Sequence, residues 1–358
     1  MATTTRLAEL EASRNRTPTP GENGKGGGSG KGTQFQREER REYRYPMSVA
    51  CAKIVSCFTR LTPPAFRYRI ADRGGDLYYR FAHVYRDNVR ANISQVLGPA
   101  ASEDELDDAT RKVFRASARN FTDLLLVPHK QDGQISRETI VTRGSFRLID
   151  DALSDGKGAI ILTGHLGAFD LMGQVLHERG YKLTVVTART TGRFLFDAVT
   201  YLRNVRGMEL VEANPSGVRK AIQAVRRGEC AVLVSDRDFF QSGRRMKFFG
   251  RETTLPPGVV RIAREAGATI VPVFGERVPS GHSISIEPGF KVPKTDDIDD
   301  DIAAGMVQVA RVLERAISLS PDQWVMFQRV WPPEPADPIP GVQVGSLPSP
   351  GLLESAAF

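Results

Sequence analysis

Two periods of hydrophobicity alternate along the middle of the chain. Solid apolar runs at residues 159–162, 183–187, 209–211, 231–235, 269–274 and 283–287 have the length and β-branched content of strands. Between them, at 166–179, 194–206, 218–227 and 258–266, apolar residues return at helical spacing. Strand and helix in alternation predict an α/β fold, with a central, mainly parallel sheet and flanking helices. Residues 140–153 predict a helix leading into the first strand, and 298–319 a long closing helix. The stretch from 236 to 257 carries neither period and reads as a long loop.

The chain before this region has a different pattern. Residues 47–61 form an amphipathic stretch (Val49, Ile54, Val55, Phe58, Leu61), interrupted by Lys53 and Arg60 and stopped by Pro63-Pro64. Helices at 76–97 and 103–126 complete an expected helical N-terminal region. Residues 1–45 are polar and rich in glycine and proline, and predict a disordered tail. Within them Lys25 to Thr33 imitate a phosphate-binding loop, but the glycine and hydroxyl positions are wrong and no strand precedes them. The expected organisation is therefore a tail at 1–45 and one domain at 46–333, helical and membrane-proximal over 46–130 and α/β over 131–333. A loose tail follows at 334–358.

With 358 residues, 41% hydrophobic and 25% charged, the composition is that of a globular protein with a sizeable core. A net charge of +7 favours acidic partners: anionic lipid headgroups, an acidic carrier protein, a phosphorylated cofactor or nucleic acid. Nucleic acid ranks last, because few aromatic residues interleave the basic ones. Cys51, Cys57 and Cys230 form no paired motif, and the five histidines no HxxxH, so neither a disulfide framework nor a metal site is expected. The start has no apolar core of a signal peptide, and no uncharged run approaches the ~18 residues of a membrane span. Peripheral attachment to the cytoplasmic face of a membrane is the expectation, with residues 47–61 and the arginines that follow as the contact.

The candidate chemistry centres on His165, in the turn between the first strand and its helix, at the sheet edge where open α/β proteins bind ligands. Asp170 follows five residues later and is expected to bond the other ring nitrogen, making His165 a carboxylate-backed general base. A capping histidine with a solvent-facing aspartate is the plain alternative.

Several short segments then occur in a telling order: His165-Leu-Gly-Ala-Phe-Asp170, Asp236-Arg237-Asp238, Phe248-Phe-Gly250, Pro257-Gly258, Gly267-Ala-Thr-Ile-Val-Pro272 and Pro321-Asp-Gln-Trp324. Together, over roughly 47–333, this set resembles the lysophospholipid acyltransferase-like superfamily. The similarity is to its branch of lipid A biosynthesis and phosphatidylinositol mannoside acyltransferases. The interrupted 47–61 stretch and the Asp236-Arg237-Asp238 element are more similar to the mannoside side.

The resemblance implies transfer of an acyl chain from a thioester, acyl-CoA or acyl-ACP, to a hydroxyl of a glycolipid such as a phosphatidylinositol mannoside. His165 is then the base and Asp170 its support, with no cofactor and no metal. The amides around Gly167, and Arg203 or Arg237, are candidate oxyanion donors. Arg203 matches a family arginine near the histidine, with a salt bridge on its own helix as the alternative. Asp236 either orients the acceptor hydroxyl, bonds His165, or pairs structurally with Arg237. Arg244, Arg245 and Lys247 are candidates for donor phosphates or anionic lipid, and Phe239, Phe240, Phe248 and Phe249 for an acyl tunnel. Two other functions stay open, a lipid A (Kdo-lipid) acyltransferase and a catalytically silent lipid- or carrier-binding protein.

Overall fold

In the computed structural model, which describes residues 46–188, 192–279 and 281–332, four helices come first. They are α1 (Pro46–Leu61), α2 (Pro64–Phe81), α3 (His83–Leu97) and α4 (Glu103–Leu126). A short α5 (Gln134–Glu138) leads into β1 (Thr139–Arg143), and α6 (Arg147–Leu153) into β2 (Ala159–Thr163). Then α7 (Phe169–Glu178), β3 (Leu183–Thr187), α8 (Arg193–Asn204), β4 (Glu209–Glu212), α9 (Pro215–Arg226) and β5 (Cys230–Val234) alternate. A hairpin of β6 (Arg244–Phe248) and β7 (Arg251–Leu255) precedes α10 (Gly258–Ala266). Strands β8 (Thr269–Val278), β9 (Gly281–Ile286) and β10 (Phe290–Lys291) and helix α11 (Ile298–Leu319) complete the fold. The tails expected at 1–45 and 334–358 lie outside the described residues.

The sheet order is β1-β9-β8-β2-β5-β3-β4, and β10 pairs with the start of β8. From β8 to β4 every pairing is parallel; β9 runs antiparallel to β8, and β1 parallel to β9. Strand β2 is buried at all five positions, which explains its solid apolar run. Alternation sends Ile160 and Leu162 to the face covered by α9, α10 and α11, and Ala159 and Ile161 to the face covered by α6, α7 and α8. Each such fully buried Ile or Leu contributes roughly 1.5–3 kcal/mol.

Helix ends follow local chemistry. Ser102 and Glu105 form a reciprocal capping box at α4, Asn214 caps α9 ahead of Pro215, and Asp297 caps α11. Three expectations are corrected. Residues 140–153 are not one helix: β-branched Ile140 and Val141 pair beside β9, and only Arg147–Leu153 is helical. The single helix at 76–97 is two, divided at Ala82; beyond the break Val89, Asn92 and Ile93 turn inward, a packing demand with no local signal. The loop at 236–257 contains the β6–β7 hairpin. Its two-residue turn is Phe249-Gly250, both at positive φ (48° and 76°) as a type I′ turn requires. Phenylalanine is a poor choice there. Tertiary contacts hold it: its N–H donates to Glu314 Oε1 at 2.5 Å and its carbonyl accepts from Gln95 Nε2 at 2.8 Å.

Helix α2 crosses α4 at a glycine. A Cβ on Gly75 would lie 2.8 Å from the Arg115 Cα, whereas one on Gly74 would meet nothing within 4 Å. Gly75→Ala should therefore cost about 1–3 kcal/mol through overpacking. Gly74→Ala should gain up to about 1 kcal/mol of helix propensity. Urea unfolding of the two variants checks this; equal shifts would refute the close crossing.

Candidate active site

Register brings the two central groups together. Thr163 of β2 pairs with Val234 of β5, and two residues beyond each partner stand His165 and Asp236. His165 Nδ1 lies 2.8 Å from Asp236 Oδ1, and the His165 amide donates to Asp236 Oδ2 at 2.7 Å. The Trp324 indole N–H donates to the same oxygen at 2.9 Å. Asp236 is fully buried. Burial alone would push its carboxyl up, but the His165 charge and the hydrogen bonds from His165 and Trp324 outweigh it and hold the group below its ordinary value of 3.8. An ionised carboxylate only accepts, so Nδ1 carries a proton, and in the neutral imidazole the lone pair is on Nε2. Because the folded value is depressed, this carboxylate's stabilisation is full above the unfolded value, about 3.9, and is lost as pH falls through the lower folded one.

Asp170 is elsewhere engaged, which corrects the expected His165–Asp170 pairing. Its Oδ1 and Oδ2 accept from Arg203 Nε at 2.7 Å and Nη2 at 3.2 Å. The reason is geometric. Helix α7 has begun by Phe169, so Asp170 meets the α8 arginine fork, while the neighbouring strand β5 delivers the carboxylate to the imidazole. Arg203 thus has its salt bridge, but between helices rather than along its own.

Gly167 is also reassigned. Its N–H donates to Gln323 O at 2.9 Å and its carbonyl accepts from Asn120 Nδ2 at 2.5 Å, so that amide is not free for an oxyanion. It has φ +53°, and a Cβ would come within 2.3 Å of Gly275 O, so no other residue fits. Val325 N donates to His165 O at 2.8 Å, completing a clamp on the turn.

The Asp236-Arg237-Asp238 element divides its work. Asp238 accepts from the Ser242 and Gly243 amides and from the Thr254 hydroxyl, and so shapes its own loop. Arg237 lies over the Phe239 ring and donates from Nε to Gln328 Oε1 at 2.6 Å. Burial pulls its pKa below the usual value, opposed in part by the neighbouring Asp236 charge.

His165, Asp170, Arg203 and Arg237 all line one cavity of about 660 Å³, in the range typical of ligand sites, roughly 300–1,000 Å³. Its walls are mostly apolar. They come from both faces of the sheet: Met172, Val185 and Val232 on the α7 side, Val218, Leu233 and Ile262 on the α9–α10 side. Phe239 and Phe240 reach it, but Phe248 and Phe249 pack against Trp331 instead, and Arg244, Arg245 and Lys247 do not line it. Sequence reasoning missed Thr163, Arg261 and the role of Trp324. Only Trp324 carried a signal, as the end of the Pro321 signature. Among the described residues no three His, Cys, Asp or Glu side chains converge as metal ligands would.

An imidazole with a free Nε2, backed by a buried carboxylate and opening on an apolar cavity, is suited to activating a hydroxyl beside a lipid-like substrate. Residues 36–332 match the sequence model of the bacterial lipid A biosynthesis acyltransferases, and the chain belongs to that family. It is 27% identical to a phosphatidylinositol mannoside acyltransferase of Mycobacterium tuberculosis over 275 residues, 75% of this chain and 84% of that protein. With a lipid A biosynthesis acyltransferase of Haemophilus influenzae it shares 24% identity over 180 residues, 49% of this chain and 54% of that one. A solved 1-acyl-sn-glycerophosphate acyltransferase of Thermotoga maritima is 13% identical with a TM-score of 0.32, covering 69% of this chain and 97% of its own.

The pairing has a direct spectroscopic test. Proton NMR of the wild type should show a low-field His165 Nδ1 proton that Asp170→Asn retains. Asp236→Asn should lose it or shift it upfield. The opposite pattern would return the supporting role to Asp170.

Proposed function

We propose that this acyltransferase moves a fatty acyl chain from a thioester, acyl-CoA or acyl-ACP, to a hydroxyl of a glycolipid, with a phosphatidylinositol mannoside as the favoured acceptor. The observation that carries the reading is the His165–Asp236 pair at the mouth of an apolar cavity. His165 Nε2 takes the acceptor hydroxyl proton as that oxygen attacks the thioester carbon, and Asp236 offsets the imidazolium charge. The tetrahedral intermediate then collapses, the C–S bond breaks, and the departing thiolate receives the proton from the imidazolium. Asp170 holds Arg203 at the cavity, with Arg203, Arg237 and Arg261 as the positive groups facing substrate. The mannoside acceptor is favoured over lipid A because the mannoside relative aligns over more of the chain.

Attachment to an anionic membrane surface belongs to this reading, supported by two helices that are inside out. Helix α1 packs inward through Ser48, Val49, Ala52 and Ser56, the last bonded to Leu125 O at 2.5 Å and His129 Nε2 at 2.9 Å. Helix α2 packs through Ala71, Gly75 and the pairs Asp72–Arg119 and Asp76 with Arg111 and Arg115. Facing outward are Met47, Ile54, Val55, Phe58 and Leu61 on α1, and Phe66, Ile70, Leu77 and Phe81 on α2. Exposed Lys53, Arg60, Arg69, Arg73 and Arg80 stand among them. Among the described residues no helix is long and apolar enough to cross a membrane. Apolar side chains ringed by cations fit an interfacial helix pair on anionic lipid.

Purified protein given labelled acyl-CoA or acyl-ACP, with phosphatidylinositol mannosides or Kdo-lipid as acceptor, should transfer label to the mannoside. His165→Ala should lose about 10²–10⁴-fold of the rate. Binding of acyl chains with no transfer by the wild type would establish a silent carrier protein instead. In flotation, wild type should rise with phosphatidylglycerol vesicles and far less with phosphatidylcholine. The Phe58→Ser/Phe66→Ser double variant should stay in the dense fraction with both; a double variant that floats like wild type would remove these helices from the membrane contact.

A further inference from the structure

One buried hydroxyl at the cavity has no partner. Among the described residues, eight buried side-chain polar atoms lack a hydrogen bond: one each on Arg143, Thr163, Gln174, Asn204, Arg206, Arg277, Ser283 and Ser285. Of these residues, Thr163 is the one that lines the cavity. A buried polar group without a partner is destabilising, and such groups in native proteins call for an explanation.

Its position is specific. Thr163 ends the central strand β2, two residues before His165, and is 2% exposed. By strand alternation its side chain falls on the face of Ala159 and Ile161, towards α7. The cavity walls on that side are Met172, Gly173, Val185, Met208 and Val232, with the Asp170–Arg203 pair beside them. His165 keeps its side chain 27% exposed, within reach of a hydroxyl from solvent or lipid. The apolar part of that wall suits an acyl chain. The one polar atom such a chain carries is its carbonyl oxygen, at the head, next to the base.

Two other donors near the histidine are already spent. The His165 amide serves Asp236, and the Gly167 amide serves Gln323 O. A tetrahedral intermediate needs donors aimed at its oxyanion. We propose that the Thr163 hydroxyl donates to the thioester carbonyl oxygen and to the oxyanion it becomes. This rests on the acyl-transfer reading above. In attack the acceptor oxygen bonds the carbonyl carbon and the C=O π pair moves onto oxygen, opposite the Thr163 proton. In collapse that pair re-forms C=O, the C–S pair leaves with sulfur, and Thr163 keeps its proton throughout.

The test compares Thr163→Val and Thr163→Ser with wild type, with kcat, donor KM and thermal stability measured for each. Valine keeps the shape and removes the orphan hydroxyl, so kcat should fall about 10²-fold, donor KM should rise by no more than a few-fold, and Tm should stay near wild type. Serine keeps the hydroxyl and should hold kcat within a few-fold. Wild-type kcat in Thr163→Val overturns the proposal. So does an equal fall in both variants, which would mean that any change at this position disturbs the site whether or not the hydroxyl is kept. Binding of two inert donor analogues gives a second readout that does not need turnover. Wild type should prefer a ketone that replaces sulfur with CH2 over a thioether that lacks the carbonyl, and neither Thr163→Val nor, if valine fails to fold, Thr163→Ala should keep that preference. An unchanged preference overturns the proposal. A wild type with no thioester transfer overturns the acyl-transfer reading, and this proposal with it.

Discussion

A negative charge with no exposure to water sits at the centre of this protein. Removing a carboxylate from solvent is costly unless charged and hydrogen-bonding partners meet it in good geometry. Asp236 receives three donors, and each comes from a different demand on the fold. The ring of His165 sets its tautomer. The amide of His165 fixes the turn after β2. The indole of Trp324 draws the segment after α11 across the sheet edge, where Gln323, Trp324 and Val325 bind the same turn from above. The geometry of the His165 turn and the burial of this charge are therefore one problem with one solution.

Local chemistry made much of the fold legible. The continuous apolar runs of β2, β3 and β5 arise because both faces of a parallel sheet are covered, and the caps of α4 and α11 announce themselves. What local reading could not supply was adjacency. His165 and Asp170 are close along the chain, so the carboxylate partner was assigned to Asp170. Strand register instead delivers Asp236, 71 residues away, to the imidazole. The same limit hid the hairpin at Phe249-Gly250, because a phenylalanine at positive φ is held there by Glu314, Gln95 and Trp331 rather than by its own preference. Thr163 was invisible for a related reason. A threonine ending a strand is ordinary until its hydroxyl is found without a partner.

The first two helices reverse the usual rule for a globular surface. Their serines, aspartates and glycine face protein, and their phenylalanines, leucines and isoleucines face out. Such an arrangement is stable only if polar groups inside are fully paired, as the bidentate Asp76–Arg115 and Asp72–Arg119 contacts are. Fixing α2 to α4 by ion pairs also leaves its apolar residues unspent, available to a neighbour that is itself apolar.

Trp324 stands near the end of the described chain, after every strand and helix of the sheet has been made. Until it arrives, Asp236 lacks one donor and the turn that carries His165 lacks its clamp. A break ahead of Trp324 would therefore take a donor from Asp236 and the clamp from the His165 turn in one step.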